Sequence, residues 1–117
     1  MDKLTPLEIL RQAREKISKR EHWIKFEFAH NAAGIGVECR DPEALCFCAV
    51  GAIHAAAKTS PVLAPPEVTA ARDTLWRAIV RHYPMVNSVS HFNDHPARTH
   101  EQVLEMFDRA IQLAETA

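Results

Sequence analysis

The spacing of apolar positions divides the chain into helical and extended stretches. From Leu7 through Ile9, Leu10 and Ala13 to Ile17, apolar residues recur every three or four positions, the signature of one face of an amphipathic helix. Thr5-Pro6-Leu7-Glu8 stands in front of this run and offers an N-cap hydroxyl, a proline at the first helical position and a Glu at the third. Together they make a capping box, so a helix starts here. From His22 the period drops to two: Ile24, Phe26 and Phe28 alternate with Lys25 and Glu27, which predicts a half-buried strand. Asn31-Ala32-Ala33-Gly34 supplies turn residues and Ile35 to Cys39 a second extended run, so the economical reading is a β-hairpin.

Asp41-Pro42-Glu43 repeats the cap-then-proline grammar and predicts a second helix through Cys46, Phe47, Cys48, Gly51, Ala52 and Ile53 to about Lys58. This segment is apolar on nearly every side and belongs in the middle of the core, where Gly51 and Ala52 leave room for another backbone to come close. Thr59 to Pro66 is proline-rich and aperiodic, a surface connection. Val68, Ala71, Leu75, Trp76 and Ile79 mark a third helix that Tyr83-Pro84 stops, and Met85 to Phe92 reads as extended or irregular. Thr99-His100-Glu101-Gln102 is a further capping box, followed by the apolar stripe Val103, Phe107, Ala110 and Ile111. The fold class expected is α+β, mainly α. Four helices near 5–19, 42–58, 66–82 and 99–115 form the core, and a small antiparallel hairpin between the first two covers one end, all within a single compact domain over 1–117.

Composition changes this picture little. Hydrophobic residues make up 47% and charged residues 25%, which is the balance of a folding chain. With 14 basic and 15 acidic residues the net charge is −1, which gives no global field to attract nucleic acid or an anionic membrane. The most basic stretch, Arg14 to Lys25, also holds Glu15 and Glu21. The N-terminus lacks a basic start, apolar run and cleavage site, and no apolar stretch approaches the roughly 18 residues of a membrane span, so a cytoplasmic location is expected. Cys39, Cys46 and Cys48 are odd in number, which argues for reduced thiols over a disulfide framework. No Gly-rich phosphate loop or other cofactor motif stands out, so no cofactor is predicted.

Several of these pieces occur together in a recognisable order. Trp23 and Phe28-Ala29 precede a Gly-containing turn; Asp41-Pro42 precedes Cys46-Phe47-Cys48-Ala49-Val50-Gly51-Ala52; then come Phe92-Asn93-Asp94 and Arg98-Thr99-His100-Glu101-Gln102-Val103-Leu104. In this order the chain resembles a family of small uncharacterised bacterial and phage proteins, with a Cys-x-x-Gly-Ala helix and an aromatic-Asn-Asp turn before a Thr-capped last helix. The resemblance implies a compact intracellular protein, often carried by phages or mobile elements, and it carries over no catalytic residue. In that family's pattern an aromatic precedes the Asn-Asp pair, as Phe92 does, whereas His91 and His95 are particular to this sequence.

Candidate chemistry comes from a few side chains. Cys48 or Cys46 as nucleophile, His91 or His95 as base and Asn93 or Asp94 as orienting group would make a thiol hydrolase or transferase, provided the thiol is held as thiolate. Both cysteines also read as small buried hydrophobes. His91, His95 and His100 with Asp94 suggest a metal site, but the segment is interrupted by Pro96 and has no helical face to align the rings, so no metal is assigned. Asn93 and Asp94 read as local backbone caps before the last helix, or as binding residues together with Arg98, which would otherwise pair with Asp94 or Glu101. The leading expectation is a small binding or regulatory protein that acts through protein–protein interaction, with a phage or mobile-element accessory or host-interaction (anti-defence) factor as one form of it and homodimerisation admitted. The alternative is the thiol enzyme using Cys48, His91 and Asp94.

Overall fold

The computed structural model describes residues 3–62 and 64–116. Met1 and Asp2, where the reading of the N-terminus begins, Leu63 in the proline-rich connection, and Ala117 lie outside the described residues. Among the described residues the chain forms α1 (Pro6–Lys16), a 3₁₀ turn (Arg20–His22), β1 (Ala29–His30), β2 (Cys46–Phe47), α2 (Ala49–Ala57), α3 (Pro66–His82), α4 (Val89–Asp94) and α5 (His100–Thr116). It is a mainly helical α+β fold with a small antiparallel sheet.

Capping boxes place α1 and α5. Thr5 Oγ1 accepts from Glu8 N and Glu8 Oε1 accepts from Thr5 N, so both halves of the first capping box form. At α5, Thr99 Oγ1 accepts from Gln102 N and Gln102 Oε1 from Thr99 N. Ile9, Leu10, Ala13 and Ile17 are buried, as the spacing requires, and α1 packs on α2, α3 and α5. Arg11 pairs with Glu115 at 2.6 Å and Arg14 with Asp108 at 2.5 Å, linking the outer edges of α1 and α5. Helix α2 is the core of the core, with every residue from Ala49 to Ala56 buried. One of them is polar: His54 is bonded to Thr59 Oγ1 and to Arg72, and burial holds it neutral by lowering its pKa to about 4.

Three expectations need correcting. The second helix begins at Ala49, not Pro42, because Asp41 Oδ1 accepts from Glu43 N two residues on and closes an Asx turn. Cys46 and Phe47 therefore lie on β2 and Cys48 becomes the N-cap, its Sγ accepting from Gly51 N at 3.3 Å. The sheet is built from other residues than expected: Ala29 pairs with Phe47 and His30 with Cys46. The expected turn does form, with Gly34 at φ 80° and a bridge from His30 to Gly36, but Ile24 to Phe28 is no strand, and Phe26 and Phe28 face solvent. Finally, Val89 to Asp94 is the short helix α4, capped by Ser88 Oγ on His91 N, where the sequence predicts Met85 to Phe92 to be extended or irregular and Asn93-Asp94 a turn.

Among the described residues no helix is long and apolar enough to cross a membrane.

Candidate functional site

Of the residues singled out from the sequence, Cys48, Asn93 and Asp94 meet at the start of α2, with Asn93 at the centre. Its side chain is fully buried and uses its whole amide. Oδ1 accepts from Trp23 Nε1 at 2.7 Å and from Ala49 N at 3.0 Å, while Nδ2 donates to Ile24 O at 3.0 Å and to Asp94 Oδ1 at 2.9 Å. This corrects the expectation of a local cap: three of the four bonds reach residues 44 to 70 positions away. Asn93 serves the N-terminus of α2 from outside that helix, satisfying one N–H that the helix itself cannot.

Asp94 extends the same network, accepting from Phe26 N at 2.9 Å through the oxygen that meets Asn93. That bond holds Phe26 at φ 71°, a left-handed conformation rarely adopted by a bulky side chain. Lys25 Nζ donates to His95 O at 2.8 Å and Pro96 O at 3.3 Å. On the far side, Phe28 O accepts from Cys48 N at 3.2 Å and lies against Gly51, where an added Cβ would come 1.8 Å from that oxygen. The segment 25–28 is thus fastened along its length, yet Phe26 is 76% and Phe28 47% exposed.

The catalytic candidates do not gain what a nucleophile needs. Cys48 is 3% exposed, and burial pushes its thiol up to about 11, against the smaller opposing effect of the Gly51 N–H. Cys46 is raised as well, first by burial and then by Glu21, and its Sγ donates to Glu21 O at 3.3 Å. His91 sits on the exposed side of α4, with Nδ1 accepting from Asn87 N at 3.1 Å. At pH 7 the Cys48 thiolate is scarcer than that of an ordinary cysteine by about a hundredfold. Alkylation by iodoacetamide, read site by site by mass spectrometry, is therefore expected to be slower at Cys48 than in free cysteine; equal or faster reaction would bring the nucleophile back.

The histidine cluster disperses. His95 Nδ1 accepts from Ala97 N, and His100 is buried with Nε2 donating to Ile17 O at 2.6 Å, where it satisfies a carbonyl past the end of α1. Among the described residues no three His, Cys, Asp or Glu side chains come together to hold a metal ion. Arg98 pairs with neither Asp94 nor Glu101. Its Nε donates to Phe92 O at 2.8 Å and its Nη1 to Gln102 Oε1 at 3.3 Å, and the guanidinium lies 4.1 Å from the Phe92 ring centre and 4.3 Å from that of Tyr83. Burial lowers its pKa, with Tyr83 opposing.

Sequence reasoning missed Trp23 and Lys25 as partners of the Asn-Asp pair and Phe26 and Phe28 as surface residues. A usable signal was the density of aromatic and charged residues in Trp23-Ile24-Lys25-Phe26-Glu27-Phe28, which suits a displayed loop as well as a strand.

The chain matches no curated protein and no solved structure. A family model does match, over residues 1–113. The chain belongs to the family it describes, a family of unknown function (DUF6197).

Proposed function

We propose that this is a small binding protein that engages another protein through the loop Lys25–Phe28. The observation that carries this reading is Phe26, held at φ 71° by the Asp94 carboxylate and left 76% exposed. A strained backbone at a bulky residue costs stability, and a ring left in solvent offsets none of that cost by burial, whereas a ring buried against a partner would. Phe28 continues the display, and beside it lies a groove of about 530 Å³ walled by Val37, Cys39, Pro61 and Val62. A loop ordered in advance and carrying aromatic anchors is the usual form of a binding hot spot, because little entropy remains to be lost on association. A cytoplasmic setting and a role as an accessory or host-interaction factor of a phage or mobile element belong to this reading through the family resemblance. The Cys48, His91 and Asp94 enzyme is not favoured by any observation at the site.

The double variant F26A/F28A is expected to keep the wild-type melting point within a few degrees, because both side chains are at the surface. Quantitative affinity capture from extract of the cells in which the gene is expressed should then recover a partner with the wild type and at least about tenfold less with the variant. Equal recovery by both proteins would sink the proposal, and sedimentation of the purified chain tells whether the captured partner is a second copy.

A further inference from the structure

Among the described residues four of the nine arginines pair with carboxylates: Arg11 with Glu115, Arg14 with Asp108, Arg40 with Glu38 and Arg109 with Glu105. The cations next to the displayed loop are held in another way. Lys25 is held only by the carbonyls of His95 and Pro96 and by the Trp23 ring, whose centre is 5.4 Å from Nζ. Arg98 is half-buried and held by a carbonyl, an amide oxygen and two aromatic faces. Among the described residues neither cation, nor the nearby Arg20, has a carboxylate within ion-pair distance.

These three cations line one depression of about 530 Å³, together with Trp23, Ile24 and Pro96, and the only acidic residue in its wall is Glu21. Two features separate it from an ordinary basic surface. Lys25 and Arg98 are already immobilised by neutral acceptors, so little side-chain entropy is left to lose when an anion arrives. Three cations against one carboxylate also leave more positive charge than a single carboxylate would neutralise. A phosphomonoester, with about −1.5 to −2 charges and three acceptor oxygens, matches that excess.

We propose that this depression is a binding site for the phosphate group of a phosphomonoester, with Arg20, Lys25 and Arg98 as its cationic wall. The site does not depend on whether the Phe26–Phe28 loop binds a protein. The phosphate belongs either to a small metabolite or to a phosphorylated side chain of a partner, and the chemistry of recognition is the same for both.

Inorganic phosphate is the first probe, titrated at constant ionic strength while the Trp23 indole N–H and Arg98 Nε–H signals are followed by NMR. Saturable shifts with a midpoint of about millimolar are expected, weakened at least about fivefold in R20E and in K25M. Arg20 is exposed at the start of the 3₁₀ turn, so R20E should melt with the wild type and report binding alone. Shifts that grow linearly with added salt of any kind, or a midpoint unchanged in R20E and K25M, would overturn the site. Glycerol phosphate and a neutral phosphoserine peptide then separate the sources. A peptide bound at least about tenfold tighter assigns the phosphate to a protein partner, and equal or tighter binding of glycerol phosphate assigns it to a metabolite. A single-stranded oligonucleotide bound tighter than either would overturn the phosphomonoester in favour of a nucleic-acid backbone.

Discussion

Gly51→Ala is expected to yield a protein that does not fold, or that melts far below the wild type. The single added carbon would lie 1.8 Å from Phe28 O and 2.7 Å from its carbonyl carbon. Both atoms are backbone, so no side chain can rotate out of the way. Either α2 moves off the segment, breaking the bond from Cys48 N to Phe28 O, or the 25–28 loop is displaced with Phe26 and Phe28 on it. Overpacking a core usually costs about 1–3 kcal/mol when side chains can adapt, and a clash with fixed backbone belongs at or beyond the upper end of that range. Against a total stability of about 5–15 kcal/mol, a loss of about 3 kcal/mol removes from about a fifth to more than half of the margin, and a larger one can remove it all. Gly36→Ala is the control: its added carbon would meet only Glu27 Oε1 at 3.6 Å, and a change of no more than about 0.5 kcal/mol is expected. Equal urea midpoints for G51A and the wild type would show that the close approach is not what fastens the loop.

Asn93→Leu should come next in severity. It strands the Trp23 indole N–H, the Ala49 N–H and the Ile24 carbonyl in the interior and removes one of the two donors on Asp94 Oδ1. Leaving buried polar groups unpaired costs about 1–3 kcal/mol each, and because the partners relax together a total of about 3–5 kcal/mol is expected in denaturant titration. Asn93→Asp separates shape from chemistry. It keeps the acceptor but loses both donors, and it sets a second carboxylate beside Asp94. The like charge and the burial both raise the pKa of the new carboxyl in the folded state, so folding takes up a proton. The gap between N93D and wild type should accordingly narrow as pH falls through that raised value, whereas the gap for N93L should not.

How far these features could be read in advance depended on whether their cause was local. The ends of α1 and α5 were legible because Thr5-Glu8 and Thr99-Gln102 act within one turn of their own helix. The start of α2 was not, because Asp41-Pro42 uses the same residues as a cap while making an Asx turn, and the true cap is a thiol assisted by an amide from 44 residues away. The alternation Ile24, Phe26, Phe28 was misleading for a similar reason. Period two states that side chains point to opposite sides, but while Ile24 N reaches β2 at Phe47 O, the backbone of Phe26 is bonded to the Asp94 carboxylate and that of Phe28 to Cys48, the N-cap of α2. Helix α4 is six residues long, too short for a 3.6-residue period to declare itself. Cys48 lies beside Asn93 and Asp94, but nothing local in the sequence announces that the amide is saturated and the thiol shut in.

The completeness of the Asn93 hydrogen bonding bears on how far sequences of this family can diverge. An amide that gives two bonds and takes two has no replacement at the same length among the other side chains. Aspartate cannot donate, glutamine is one carbon too long, and serine reaches only some of the partners. Gly51 is bounded in the same way by size. Drift should therefore be narrowest at these two interior positions and widest at Phe26 and Phe28, whose surroundings are solvent. A distant member would then be told apart from an unrelated helical chain by its glycine and its asparagine, whatever pair of residues it displays on the loop between Lys25 and Ala29.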